Sequence, residues 1–129
     1  MTQPDEVTTI ELAKAAIRAL ARTYRYWLQV GRGFAAGRAH AIRMAETDDV
    51  HAQSYRTEFS RWLTGYPNFQ EISESTRDDL FWLVDNRDAI ERWRKTLSRA
   101  DCLSLNHPSV IRRRYDEDVR LQAERRAGG

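Results

Sequence analysis

The sequence predicts an all-α fold: a single small bundle of four to five helices with a long N-terminal helix, kinked if its glycines bend it. Three observations predict this class. Glycine and proline are sparse, six and three in 129 residues. Alanine, leucine, arginine and glutamate dominate, and these are strong helix formers. β-branched residues show no sustained alternation, while apolar residues recur at three- and four-residue spacing. The length is that of one domain. Residues 1–9 read as a flexible N-terminus, 10–126 as one helical domain and 127–129 as a frayed tail.

The first helix is expected to open after Thr8 and Thr9, with Glu11 in its first turn. Ile10, Ile17, Ala21, Tyr24, Leu28 and Ala35 share one side of a helical wheel. Lys14, Arg18, Arg22, Arg25, Arg32 and Arg43 form a narrow basic stripe on another. The stripe keeps its phase only if the helix continues through Gly31, Gly33 and Gly37. Glycines there cost about 2–3 kcal/mol together relative to alanine. Either one helix runs to about Ala45 with a close-packing glycine face, or it breaks near Gly31 and Gly33. The phase favours the single helix.

Residues 46–49 read as a turn, with Thr47 or Asp48 capping a helix over 51–63. Tyr55, Phe59, Trp62 and Leu63 give that helix its apolar spacing, and Gly65 with Pro67 ends it. Phe69 and Ile72 flank a short loop, after which Ser73 to Thr76 offers caps. The next helix carries Leu80, Phe81, Leu83 and Val84, and Asp85 with Asn86 bends or caps it. Ala89, Ile90, Trp93 and Leu97 continue its apolar face. Residues 98–106 read as a connection with Leu103 and Leu105 pointing inward. Asn106 and Pro108 open the last helix, with Val110, Ile111, Tyr115 and Val119 on its apolar side.

No apolar run approaches the ~18–20 residues of a membrane span. Residues 1–9 show neither a basic nor an apolar stretch of a signal peptide. One cysteine, Cys102, leaves no internal disulfide framework. A reduced, cytoplasmic chain with no membrane partner is therefore expected.

The formal net charge of +2 hides strong segregation. Arginine supplies all the cations but Lys14 and Lys95. Residues 12–45 hold seven cations and no acid, 71–91 seven acids and two arginines, and 92–114 seven cations and one acid. Surfaces usually intersperse the two signs, so such blocks point to anionic partners or self-association.

No catalytic constellation assembles. His40, His51 and His107 lack metal-ligand spacing, and Cys102 with His107 is too little for a site. Cys102 reads as a small buried hydrophobe, and His107 as a capping or packing residue. Gly31, Gly33 and Gly37 lack the preceding strand of a phosphate loop and read as helix packing. Glu71, Glu74, Asp78 and Asp79 suit the positive end of a helix. No cofactor, metal or catalytic residue is expected. The basic stripe carries the stronger signal, because arginine forks match phosphates. Arg112, Arg113 and Arg114 form a second basic run, with acids at 116–118 within pairing distance. A helix–turn–helix element is a further candidate. Its second helix would present Ser73, Ser75, Thr76 and Arg77 to bases, beside acids that repel phosphates.

Several motifs add a likeness: Trp62-Leu63, Phe69, Thr76-Arg77, Trp93-Arg94 with Leu97, and Leu105-Asn106-His107-Pro108 leading to Arg112, Arg113 and Tyr115. This pattern resembles a family of small, uncharacterised proteins of phages, prophages and other mobile elements of alphaproteobacteria. Ile72, Ser73 and Thr76 are similar, more weakly, to the turn of helix–turn–helix proteins. The resemblance implies a context and no named activity. The combined expectation is a non-enzymatic regulator that binds nucleic acid through Lys14, Arg18, Arg22, Arg25, Arg32, Arg43, Thr76, Arg77 and Arg112–Arg114, with a homodimer as its expected assembly. The alternatives are a protein-interaction module docking a host or phage protein, with Trp27, Trp62 or Trp82 as anchors, and a self-assembling structural protein.

Overall fold

The structure, a computed structural model, describes residues 6–18 and 23–128, the side chains of 15–18 excepted. These residues are all-helical, with no strand among them. They form eight helices, not four or five: α1 (Glu6–Arg18), α2 (Tyr24–Ala45), α3 (Gln53–Thr64), α4 (Pro67–Gln70), α5 (Glu74–Asp85), α6 (Arg87–Arg94), α7 (Arg99–Ser104) and α8 (Pro108–Gly128). No helix among them is long and apolar enough to cross a membrane.

The single N-terminal helix is corrected. α1 starts at Glu6, before Thr8 and Thr9, and ends at Arg18. Thr23 is extended (φ −93°, ψ 167°) and its hydroxyl accepts the Tyr26 N–H, so α2 begins afresh at Tyr24. The glycines are not the break. α2 runs unbroken through all three of them to Ala45 and ends on Glu46 in the left-handed region, at φ 54°.

α2 is the axis of the core. Tyr24, Tyr26, Trp27, Leu28, Val30, Phe34 and Ala41 are buried along it. Each glycine seats a different neighbour. A Cβ at Gly31 would meet Val84 of α5 at 2.8 Å, and one at Gly33 would meet Ala13 of α1 at 2.5 Å and Phe69 of α4 at 2.8 Å. At Gly37 it would strike the Trp62 ring of α3 at 2.5 Å. The conformational cost of glycine in a helix is thus offset by three close helix crossings. α1 returns along α2, and its first turn meets the far end of α2 through Glu6 and Arg43.

The aromatic residues knit the rest. Phe34 meets Phe69 edge-on at 4.8 Å, and Trp62 lies 4.8 Å from Tyr66. Phe69, Leu80, Leu83, Ile90 and Ile111 are fully buried, each worth roughly 1.5–3 kcal/mol of transfer free energy. The expected bend at Asp85 and Asn86 separates α5 from α6. Neither Thr47 nor Asp48 caps α3. Its cap position is Ala52, while Thr47 and Asp49 accept N–H groups inside the preceding turn. α4 and α7 fall where connections are expected. Leu103 sits on α7 with 69% of its surface exposed, so only Leu105 points inward. Its neighbour His107 both caps and packs. The Ser109 N–H donates to its Nδ1, and its ring lies 5.1 Å from Trp27. α8 is tied down by Ile111, by Tyr115 between Trp82 and Trp93, and by the Trp93 Nε1–H donating to Asp118 at 2.9 Å. Beyond Asp118 its residues are exposed.

Candidate functional site

The break before Tyr24 divides the basic stripe. On α1, Lys14 is paired with Glu11 at 3.4 Å. The Arg18 side chain and all of Arg22 lie outside the described residues. At the far end of α2, Arg43 donates to Glu6 at 2.8 Å. Arg25 and Arg32 remain exposed, seven residues apart on one face of α2, and neither forms an ion pair among the described residues.

The second basic run does not form a patch. Arg112 donates to Asp79 at 3.1 Å and lies over the Trp82 ring. Arg114 sits between Asp101 at 3.6 Å and Asp118 at 3.7 Å, while Arg113 points to solvent. Successive helix residues diverge by about 100°, so the run scatters around α8.

The helix–turn–helix element loses its reading face. The Arg77 guanidinium covers Phe59 at 5.2 Å, joining α5 to α3. Thr76 is half-buried and bonded to Ser73. What the start of α5 exposes is Glu74, Ser75 and Asp78. The aromatic anchors also turn inward: Trp27 and Trp62 are buried, and Trp82 lies beneath Arg112.

Arg25 and Arg32 meet a different set of cations. Three cavities adjoin along α6, two of them between it and the first half of α2 and the third between α6 and Cys102 of α7. One, of about 380 Å³, holds Arg32, Arg87 and Arg92; the next, about 530 Å³, holds Arg25, Arg32 and Arg94; the third, about 300 Å³, holds Arg94 and Lys95. Arg32 is common to the first two, and Glu91 with Arg94 to the last two, so they make one furrow. Its acids are engaged. Asp85 takes a two-pronged fork from Arg38 at 2.7 and 3.1 Å, Asp88 pairs with Arg87 at 3.5 Å, and Glu91 accepts the Tyr24 hydroxyl at 3.4 Å. Arg25, Arg32, Arg92, Arg94 and Lys95 make no ion pair among the described residues.

Arg94 and Tyr24 form the floor. The guanidinium lies 4.0 Å over the Tyr24 ring, and the buried Nε has no hydrogen-bond partner among the described residues. The Tyr24 phenol is pushed up to about 12, first by burial and then by the Glu91 carboxylate, against the opposing pull of Arg94. The ring therefore stays neutral and supports the cation through its face. Arg92, Arg94 and Lys95 also suit the negative end of α6.

A separate cleft of about 630 Å³ lies between Trp27, Glu71, Thr76 and His107, and no lysine or arginine among the described residues lines it. The furrow thus brings together Arg25, Arg32, Arg92, Arg94 and Lys95, five cations with no ion pair among the described residues.

Sequence reasoning singled out Arg25 and Arg32 and missed Arg92, Arg94 and Lys95. Their only signal was the excess of cations over 92–114. Nothing in the spacing placed them beside α2. Comparison of the chain with protein-family models, curated proteins and solved structures returns no match.

Proposed function

We propose that this chain binds the sugar–phosphate backbone of nucleic acid along the α2–α6 furrow, as a small non-enzymatic regulator carried by a phage or mobile element. One observation carries the reading: Arg25, Arg32, Arg92, Arg94 and Lys95 line adjoining cavities and have no carboxylate partner among the described residues. A chain usually disperses or pairs such charges. Gathered and unpaired, they repel one another until an anion neutralises them. A polyphosphate backbone does so while releasing its own counterions. Arg25 and Arg32 stand seven residues apart, about 10 Å along the helix. That matches about three backbone steps of a strand at ~3.4 Å each.

Contacts of this kind position a protein without reading bases. The acidic start of α5 stays outside the interface. Binding is accordingly expected to be tolerant of sequence.

The test is fluorescence anisotropy with a labelled oligonucleotide at low salt. Arg25→Gln/Arg32→Gln is expected to weaken binding by about tenfold or more, each lost phosphate contact costing several-fold. Arg56→Gln on α3, whose residues line none of the three cavities, is expected to change it little. No binding by the unaltered protein, or equal losses in both variants, would overturn the reading.

A further inference from the structure

We infer that the central cavity of the furrow is a site for a terminal phosphate, a phosphomonoester, in distinction from the internal phosphodiesters along the rest of the track. The inference rests on the furrow reading and narrows it. The cavity is lined by Thr23, Tyr24 and Arg25 at the start of α2, by Arg32 two turns on, and by Glu91 and Arg94 of α6.

Charge is the first argument. Among the described residues three arginines stand against one carboxylate, which leaves two positive charges. An internal phosphodiester carries one negative charge. A phosphomonoester carries close to two at neutral pH, its second ionisation lying near pH 6. The cavity is matched to the dianion.

The helix end is the second. α2 is 22 residues long and has no acidic residue in its first turn. The cavity runs down the side of the first two turns of α2, where the positive end of the helix dipole adds to the field of Arg25, which favours an anion nearby.

Arg94 is the third. An arginine held by a carboxylate has its fork occupied. Arg94 is held over the Tyr24 ring at 4.0 Å, its buried Nε has no partner among the described residues, and its side chain borders two cavities. Aromatic stacking fixes the guanidinium plane and leaves the donors uncommitted, the arrangement suited to a phosphate fork. Glu91 lines the same cavity, and its carboxylate takes the Tyr24 hydroxyl at 3.4 Å.

The volume of about 530 Å³ admits a nucleotide as readily as a strand end. The experiment separates the two sources. One oligonucleotide sequence is titrated in three forms, with a 5′-phosphate, with a 3′-phosphate and with hydroxyls at both ends. A nucleoside monophosphate is titrated alone. A phosphorylated end is expected to bind about tenfold or more tightly than the hydroxyl form, the effect of one added charge-assisted contact. Arg94→Gln is expected to bring that ratio to about one. Arg25→Gln, at an exposed position, repeats the test should Arg94→Gln lower the melting temperature.

Strand binding with no preference for a phosphorylated end would overturn the inference and leave the furrow reading standing. Binding of the nucleoside monophosphate alone, sensitive to Arg94→Gln, would support the site and overturn the furrow reading. Binding of none of the probes would overturn both.

Discussion

Gly37→Ala is expected to destabilise the protein, although alanine is the better helix former. A Cβ at Gly37 would sit 2.5 Å from Cε3 and Cζ3 of Trp62 and 2.6 Å from Cη2. Carbon atoms pack comfortably at ~3.5–4.0 Å, so the ring must retreat by about 1 Å. It has little room. Trp62 is 8% exposed and is backed by Tyr66 at 4.8 Å, Phe69 at 5.5 Å and Phe59 at 5.6 Å. Overpacking costs roughly 1–3 kcal/mol, and a ring backed on several sides puts this contact in the upper part of that range, about 2–3 kcal/mol. The helix preference for alanine returns about 1 kcal/mol. The net loss is then about 1–2 kcal/mol, a fall in melting temperature of roughly 3–10 °C for a domain of this size. Urea and thermal unfolding, followed by tryptophan fluorescence and circular dichroism, measure it. Gly65→Ala is the control. Its Cβ would meet only the Trp62 carbonyl at an ordinary 3.5 Å, and its φ of −81° suits any residue. It is expected to be neutral or slightly stabilising. A Gly37→Ala protein as stable as the unaltered chain would refute the close crossing of α2 and α3.

The furrow floor makes stability depend on alkaline pH. Tyr24 ionises at about 12 in the fold and at about 10 when unfolded, so burial favours the neutral phenol. Its contribution is complete below pH 10 and is lost as pH rises through 12, on the order of 2 kcal/mol once solvent screening is allowed for. Denaturant unfolding across that range is expected to show a shallower decline for Tyr24→Phe than for the unaltered chain. Asp118→Ala strands the Trp93 Nε1–H, which now donates at 2.9 Å from a ring only 8% exposed. It is expected to cost about 1–2 kcal/mol and to raise hydrogen exchange in the second half of α8. Arg38→Ala removes both the fork to Asp85 and the contact 4.7 Å over Phe81. The expected loss is about 1 kcal/mol in urea unfolding, with Arg38→Lys recovering only part of it.

The all-helical class was legible because composition and spacing are local properties, and helices are built from local bonds. The division at Asn86 was legible for the same reason. The break before Tyr24 was not. Arg18 and Arg25 are seven residues apart, which returns to nearly the same face with or without an interruption. Periodicity alone is blind to such a gap. Thr23 held the available clue, as a capping residue just ahead of an apolar run. α4 and α7, with four and six residues, are shorter than a periodicity can resolve. The three glycines read as helix packing from the sequence, but which neighbours they seat is a property of the partners that meet them.

The site was half legible for a related reason. Charge blocks show which segments are basic, and Arg25 and Arg32 stand in such a block. Pairing is set by the tertiary fold. Arg43 is neutralised by Glu6, 37 residues away, and Arg112 by Asp79, 33 residues away. Arg94 joins the furrow by stacking on Tyr24, and no spacing rule links residues that far apart.

The salt dependence of oligonucleotide binding tests the furrow most directly. If Arg25, Arg32, Arg92, Arg94 and Lys95 each take a phosphate, log K falls with log salt at a slope of about −3.5 to −4.5. A fourfold rise in salt then weakens binding by about 100- to 500-fold, and Arg25→Gln/Arg32→Gln reduces the slope by about 1.4 to 1.8. A slope near zero, or one that the double substitution leaves unchanged, would contradict a phosphate-gripping furrow between α2 and α6.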